Sequence, residues 1–370
     1  MSWKNNIRKV TPYTPGEQPK VEGELIKLNT NEFPYPPSPA VRKAIESTPV
    51  DDLRLYPNVT AAPLTKAVAE YYGVDEDEVF VGVGSDDVLS VAFLTCFSSD
   101  KPILFPDITY SFYDVWCDVY RIPFVTKPLD GNFRIVKEDY YGENGGVVIA
   151  NPNAPTGIGE SIEFIEDIIK HNQESVVIVD EAYVDFGGQT SIELTRKYDN
   201  VLVVRTFSKS RAFAGMRIGF AIGSKEIIKC MNDVKFSINS YTMNLTAINY
   251  GKAILADDEY FRDTVGKVMN TRAWTEEQLK ALGFVCLPSQ SNFIFASPAI
   301  TLEENSELAA NTSAGGFGHT AKEVFEYLKS RNIYVRYFNK PRISDFLRIT
   351  IGTDEQMQKF IEFLKEYRGV

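Results

Sequence analysis

Four apolar runs in this chain stop at side chains that could do chemistry. EVFVGV (78–83) runs into GVGSDD, where Gly82, Gly84 and Ser85 make a tight turn and a helix start at Asp86. Backbone N–H groups at such a start bind anions, and the same residues also serve as a plain helix cap. GGVVIA ends in NPNAPTG (151–157), a loop stiffened by two prolines that presents the Asn151 and Asn153 amides or simply turns the chain. SVVIVD ends on Asp180, followed by Glu181, Ala182 and Tyr183. An acid closing an apolar strand is costly unless paired, with a cationic ring nitrogen or with a cap or ion-pair partner. VLVVRTF leads to Ser208 and Lys209, inside a set of cations with Arg205, Arg211 and Arg217. Neighbouring positive charge and desolvation free a lysine amine for Schiff-base chemistry, whereas a lone loop lysine is merely solvated.

One cofactor uses all of these groups. Pyridoxal 5′-phosphate needs a lysine for its aldehyde, an acid for its pyridine nitrogen and an anion site for its phosphate. It also needs a donor to its phenolic oxygen and a ring against its face. Asp180 and Lys209 are about one βα unit apart, and Tyr110, in PDITYSFY after another apolar run, offers the ring.

The elements that must position these residues are legible as a series. Short apolar runs ending near 83, 106, 125, 150, 180, 207 and 223 alternate with helical stretches such as 63–72, 87–97 and SIEFIEDIIKHN. Such runs predict an α/β fold with a mainly parallel central sheet covered by helices on both faces, and ligands beyond the carboxyl ends of its strands. A long helical pattern over about 257–282 leads into FVCLP, SNFIFA, IYVRYF and FLRITIG, with a helix at 320–331 and a final helix opened by Thr353 and Gln356. This predicts a second, smaller α/β domain. We divide the chain into 1–48 (arm and part of the small domain), 49–267 (large domain) and 268–370 (small domain). Residues 1–40 read as an extended arm, and 301–318 as a mobile insertion.

Composition removes other classes. A formal charge of −11 argues against binding nucleic acid through phosphate neutralisation. No apolar run reaches the roughly 18 residues of a membrane span. The four cysteines are scattered, and Met1–Val10 lacks the apolar core of a signal peptide, so a cytoplasmic location is expected. The two histidines, His171 and His319, lack companions at ligand spacing, so no metal is expected and a Ser-His-Asp triad is poorly supported. GxGxxG fails at Ser85-Asp86-Asp87, which disfavours a nicotinamide oxidoreductase.

The chain resembles the histidinol-phosphate branch of the fold-type I pyridoxal-phosphate aminotransferases, over nearly its whole length. PYTPGE (12–17), LNTNEFPYPPSP (28–39), LRLYPN (53–58), GVGSDD, NPNAPTG, VDEAYVDF, TFSKSRAFAGMRIGF, SNFIFA, VRYF and LRITIGT follow in the family's order. The resemblance implies that Lys209 holds the cofactor aldehyde and moves the proton. Asp180 would pair with the pyridinium nitrogen, Tyr183 would donate to the phenolic oxygen, and Tyr110 would stack on the ring. Ser85, Asp86, Thr206, Ser208 and Arg217 would hold the phosphate. Tyr56 would reach it from a second subunit, so a homodimer is implied. Arg348 would bind the carboxylate of glutamate or 2-oxoglutarate, or the phosphate of histidinol phosphate, with Arg336, Tyr13 and Asn292 as further substrate-site candidates. Three positions depart from the family pattern. Ala154 stands where many relatives have asparagine, leaving the phenolic oxygen to Asn153 or to Tyr183 alone. Val83 and Phe33 also replace asparagines.

The implied activity is transamination between L-histidinol phosphate and 2-oxoglutarate, in histidine biosynthesis. Its rivals are an aromatic or broad-specificity aminotransferase and a threonine-phosphate decarboxylase on the same framework. A cofactor-binding sensor without turnover is disfavoured, because Lys209, Asp180 and Arg217 are all present.

Overall fold

The computed structural model describes residues 2–298 and 316–370. Residues 301–315 of the expected insertion lie outside them.

Seven strands build the larger sheet. They are β2 (Val79–Gly82), β3 (Ile103–Pro106), β4 (Phe124–Lys127), β5 (Gly146–Ala150), β6 (Val177–Asp180), β7 (Val201–Thr206) and β8 (Gly219–Gly223). Their order is β2-β8-β7-β6-β5-β3-β4. All neighbours pair in parallel except β8, which runs antiparallel to both β2 and β7. The fold class is therefore the expected one, with a single reversed strand. Every residue of β5, β6 and β7 is buried, which is why β5 and the first residues of β6 and β7 read as continuous apolar runs. Strand β4 is the exception: it closes one edge and is half exposed.

Helices α3 (Ser85–Cys96), α4 (Tyr113–Tyr120) and α6 (Lys225–Ile238) cover one face with a core that includes Phe80, Phe93, Tyr113 and Trp116. Helices α1 (Pro39–Glu46), α2 (Ala62–Tyr72), α5 (Ile162–Lys170) and α7 (Leu245–Leu255) pack on the other, around Val41, Leu64, Ile165, Ile168 and Ile248. Ser161 caps α5 by accepting from the Phe164 N–H.

The smaller sheet is β1-β11-β12-β10-β9, with β1 at Ile26–Leu28, β9 at Val285–Cys286, β10 at Phe293–Ser297, β11 at Ile333–Tyr337 and β12 at Leu347–Thr350. Strand β1 pairs parallel to β11, so the N-terminal stretch, although mostly extended, is stitched into this sheet. Helix α8 (Asp258–Ala281) leads into the sheet, and α9 (Ala321–Ser330) and α10 (Asp354–Arg368) pack on it. Both α9 and α10 begin with reciprocal capping boxes, Thr320 with Glu323 and Thr353 with Gln356.

Among the described residues no helix is long and apolar enough to cross a membrane, and no three His, Cys, Asp or Glu side chains cluster as a metal site. His171 caps α5 and stacks on Tyr141, and His319 stacks on Tyr367.

Candidate active site

The carboxyl ends of β5, β6 and β7 and the start of α3 surround one cavity. Its wall includes Ser85, Asp86, Tyr110, Ala154, Asp180, Tyr183, Thr206, Ser208, Lys209 and Arg217. Parallel strands place their ends together, and the loops that follow carry the polar groups.

One end of the cavity is built for an anion. Gly84 takes φ +87°, which suits glycine and turns the chain from β2 into α3. A Cβ on Gly219 would lie 2.4 Å from the Ser85 nitrogen, so the two backbones approach in a way only glycine permits. The helix start thus presents the Ser85 and Asp86 N–H groups to the cavity. Arg217 donates to Ser208 Oγ at 3.2 Å and reaches Asp86 Oδ2 at 3.3 Å. Tyr110 donates its hydroxyl to Asp86 Oδ1 at 2.7 Å. The Asp86 carboxylate therefore orients the arginine and the tyrosine ring, while its backbone faces the anion site.

The opposite wall holds Asp180. Its carboxylate accepts from the Tyr113 hydroxyl at 2.9 Å and from the Ala182 N–H at 3.2 Å. Burial is the main reason its pKa rises to about 6. Such a carboxylate is poised for a cationic partner, which would offset the cost of its burial. Lys209 Nζ lies 5.5 Å from the centre of the Tyr183 ring.

Not every cation near Lys209 belongs to the cavity. Arg205 points to the other side of β7, where it pairs with Glu181 and Asp185 and donates to the Tyr72 hydroxyl. Arg211 is buried, with its guanidinium 3.6 Å from the centre of the Phe261 ring. The expected cluster of four cations is thus divided, and Lys209 and Arg217 line the cavity. The Arg205 network has its own role: Asp185 also accepts from Ser210, which ties the loop after Tyr183 to the loop after Lys209.

Asn153 is also elsewhere. Its amide nitrogen donates to Ile108 O and Thr156 Oγ1, and its oxygen accepts from Thr109. The amide pins the 151–157 loop, and Ala154 faces the cavity in its stead. The asparagine expected at the phenolic oxygen is thus a residue that holds the loop. Asn292, equally, is fully buried behind the site and donates to Asn31 O at 3.1 Å.

A family model for class I and II aminotransferases matches residues 23–364. The chain belongs to this family. It is 48% identical over 367 residues to a histidinol-phosphate aminotransferase of Lactococcus lactis subsp. cremoris, covering 99% of this chain and 98% of that one. A crystal structure of the histidinol-phosphate aminotransferase from Clostridium acetobutylicum superposes with a TM-score of 0.81 at 22% identity, over 93% of this chain and 99% of that one. The Sinorhizobium meliloti enzyme, solved in complex with pyridoxal-5′-phosphate, superposes at 0.80 with 21% identity, over 93% and 91% of the two chains.

The residues of this aminotransferase fit pyridoxal phosphate. Hydroxyls, helix N–H groups and a guanidinium gather at one end, a buried carboxylate stands at the other, and a lysine and a tyrosine lie between. Apolar Ala150, Pro152, Ala154 and Ala182 line the space around them.

A wider opening adjoins this cavity through Tyr110 and is lined by Tyr13, Asp107, Arg336, Phe338 and Arg342, among others. Tyr13 stacks on Phe112 with ring centroids 4.3 Å apart, and burial raises its pKa. Arg348 on β12 stands opposite Arg336 on β11. Arg348 is half-buried, donates to Asn29 O at 3.0 Å and keeps its buried Nε without a partner. Its pKa is lowered, first by burial and also by the Arg336 charge. Two adjacent guanidiniums, one with an unused buried donor, call for an anion.

Tyr56 is 82% exposed and stacks on Tyr241, away from the cavity of its own chain. Three contributors were not readable as site residues: Tyr113 behind Asp180, Asn31 against Tyr183, and the Arg205–Asp185–Ser210 tie. Each is an ordinary residue until the fold brings it to its partner.

Proposed function

We propose that this chain catalyses pyridoxal-phosphate-dependent transamination between L-histidinol phosphate and 2-oxoglutarate, giving imidazole acetol phosphate and glutamate in histidine biosynthesis. The observation that carries the reading is the cavity that joins Lys209, Asp180, Tyr183 and the Ser85–Ser208–Arg217 anion end, with Arg336 in the adjoining opening and Arg348 paired beside it. Full-length likeness to histidinol-phosphate aminotransferases supports the choice of substrate.

When bound, the cofactor supplies a cationic ring that withdraws electrons from the substrate carbon bearing the amine. Asp180 would pair with the ring nitrogen and keep it protonated. Arg217, Ser208, Thr206 and the Ser85 and Asp86 N–H groups would hold the phosphate. Tyr110 would pack on the ring face, and Tyr183 would donate to the phenolic oxygen. Lys209 would hold the aldehyde, and its freed amine would serve as the base at the substrate carbon that bears the amino group. Arg348 and Arg336 orient the donor by its phosphate and the acceptor by its carboxylate, because a guanidinium pairs bidentately with either. Tyr13 closes over the substrate from the N-terminal arm.

The reading includes a homodimer in which Tyr56 completes the neighbouring subunit's phosphate site. Val50, Leu53, Leu55 and Tyr56 are exposed on one stretch, and Phe236, Ile238 and Tyr241 on another, which suits burial against a second copy. We place the division between the large and small domains within α8, near residue 267, and the enzyme in the cytoplasm.

The test is a half-reaction. Loaded protein mixed with histidinol phosphate and no acceptor yields one equivalent of imidazole acetol phosphate per subunit, and continuous turnover begins when 2-oxoglutarate is added. Turnover without an acceptor, or no product at all, would overturn the reading.

A further inference from the structure

Asn31 lies on the N-terminal stretch and is buried, with φ +55°. Its side-chain Nδ2 is 2.8 Å from the Tyr183 hydroxyl oxygen. Its backbone N–H donates to Thr350 Oγ1 at 3.0 Å, and Thr350 Oγ1 donates back to Asn31 Oδ1 at 3.1 Å. Asn292 holds the Asn31 carbonyl from the other side.

These contacts have a direction. A backbone N–H can only donate, so Thr350 Oγ1 accepts there and has one proton to give. The acceptor for that proton is Asn31 Oδ1. The amide is then oriented with its NH₂ toward Tyr183, whose oxygen must accept. The single Tyr183 proton is left pointing away from Asn31, toward the cavity. The reversed amide would lose the Thr350 bond and draw the tyrosine proton out of the cavity.

We propose that Asn31 is a positioning residue that aims the Tyr183 proton at the phenolic oxygen of the cofactor, with Thr350 fixing the orientation of its amide. The inference rests on the reading of Tyr183 given above. It matters more here because Ala154 offers no side-chain donor and Asn153 is committed to its own loop. Tyr183 therefore works without a neighbouring amide from that loop. The Asn31–Thr350 relay supplies the missing control, from the smaller sheet. Strand β12 carries both Thr350 and Arg348, so the residue that meets the substrate anion and the residue that sets the relay share one strand.

The ionisation of the lysine-bound cofactor reports this directly, as the change of its absorbance with pH. A donor to the phenolic oxygen stabilises the form in which that oxygen carries full negative charge, and so holds the midpoint down. Lys209, Arg348 and Tyr13 also face Tyr183, and all three are left intact in the variants. Asn31→Gly keeps the left-handed backbone, because glycine adopts positive φ freely. Tyr183→Phe raises the midpoint by about one pH unit, Asn31→Gly raises it by about half as much, and the two together raise it no further than Tyr183→Phe alone. Thr350→Val breaks the relay one link earlier and moves the midpoint in the same direction, whether or not Asn31→Gly folds. A shift from Tyr183→Phe with none from Asn31→Gly or Thr350→Val overturns the inference and leaves the function standing. An Asn31→Gly shift that persists in the Tyr183→Phe background also overturns it. No shift from Tyr183→Phe overturns the role of Tyr183 itself, and the inference with it.

Discussion

The Tyr113 hydroxyl donates to Asp180 Oδ2 at 2.9 Å, in the interior behind the cavity. That bond holds the carboxylate but does not neutralise it, and burial still lifts its pKa to about 6. The sign of the consequence is fixed. A raised carboxyl pKa means that the native protein without cofactor binds more protons than the unfolded chain between about pH 4 and pH 6. Asp180 therefore costs stability progressively as pH rises through that range, and the cost persists above it. Asp180→Asn removes the dependence. The stability gap between Asp180→Asn and the parent, both without cofactor, should widen by about 1 kcal/mol in favour of the variant from pH 5 to pH 7.5. Denaturant unfolding at the two pH values reads it, and a constant gap would contradict it. The same variant should abolish nearly all transamination, because the neutral amide cannot hold the ring nitrogen protonated.

Arg217 is expected to account for much of the preference for a phosphorylated cofactor. Arg217→Ala should weaken binding of pyridoxal phosphate by about 10–100-fold, from the loss of charge-assisted hydrogen bonds. It should leave the affinity for unphosphorylated pyridoxal nearly unchanged. Titration of the cofactor-free protein with each compound distinguishes this from general damage, which would weaken both.

Arg348→Lys keeps the charge and loses the fork. The expected result is a rise in KM of about tenfold or more for both histidinol phosphate and 2-oxoglutarate, since one lysine cannot match bidentate contact with either anion. A rise for one substrate alone would assign the other anion to Arg336.

Tyr56 is tested by mixing. Subunits carrying Tyr56→Ala and subunits carrying Lys209→Ala each lack one part of the site. A mixed dimer restores one complete site, built from Lys209 of the first subunit and Tyr56 of the second. Activity above that of either parent after exchange is expected, and its absence would contradict a shared site.

Much of this architecture is legible before the fold is known, for a physical reason. Strands β5, β6 and β7 are buried on both faces, so each opens as a continuous apolar run, and polar residues mark or closely precede its end. Asp180 and Lys209 stand at or just beyond such ends. The reversed direction of β8 is not legible, because a fully buried run looks the same read either way. Strand β1 is three residues long and too short to show a period. The side of a strand on which a cation falls also escaped the reading: Arg205 and Lys209 are four positions apart, yet Arg205 faces Glu181 and Asp185. Asn153 and Asn31 exchange their expected importance because an amide is defined by partners far along the chain. Asn153 answers to Ile108, 45 positions away, and Asn31 to Tyr183 and Thr350, 152 and 319 positions away.

A transaminase of this kind selects a phosphorylated donor. The direct measurement is glutamate formation from 2-oxoglutarate with histidinol phosphate, phenylalanine and tyrosine as separate donors at matched concentrations. A clear preference for histidinol phosphate in kcat/KM is the predicted result. Equal or faster turnover of the aromatic amino acids would contradict it.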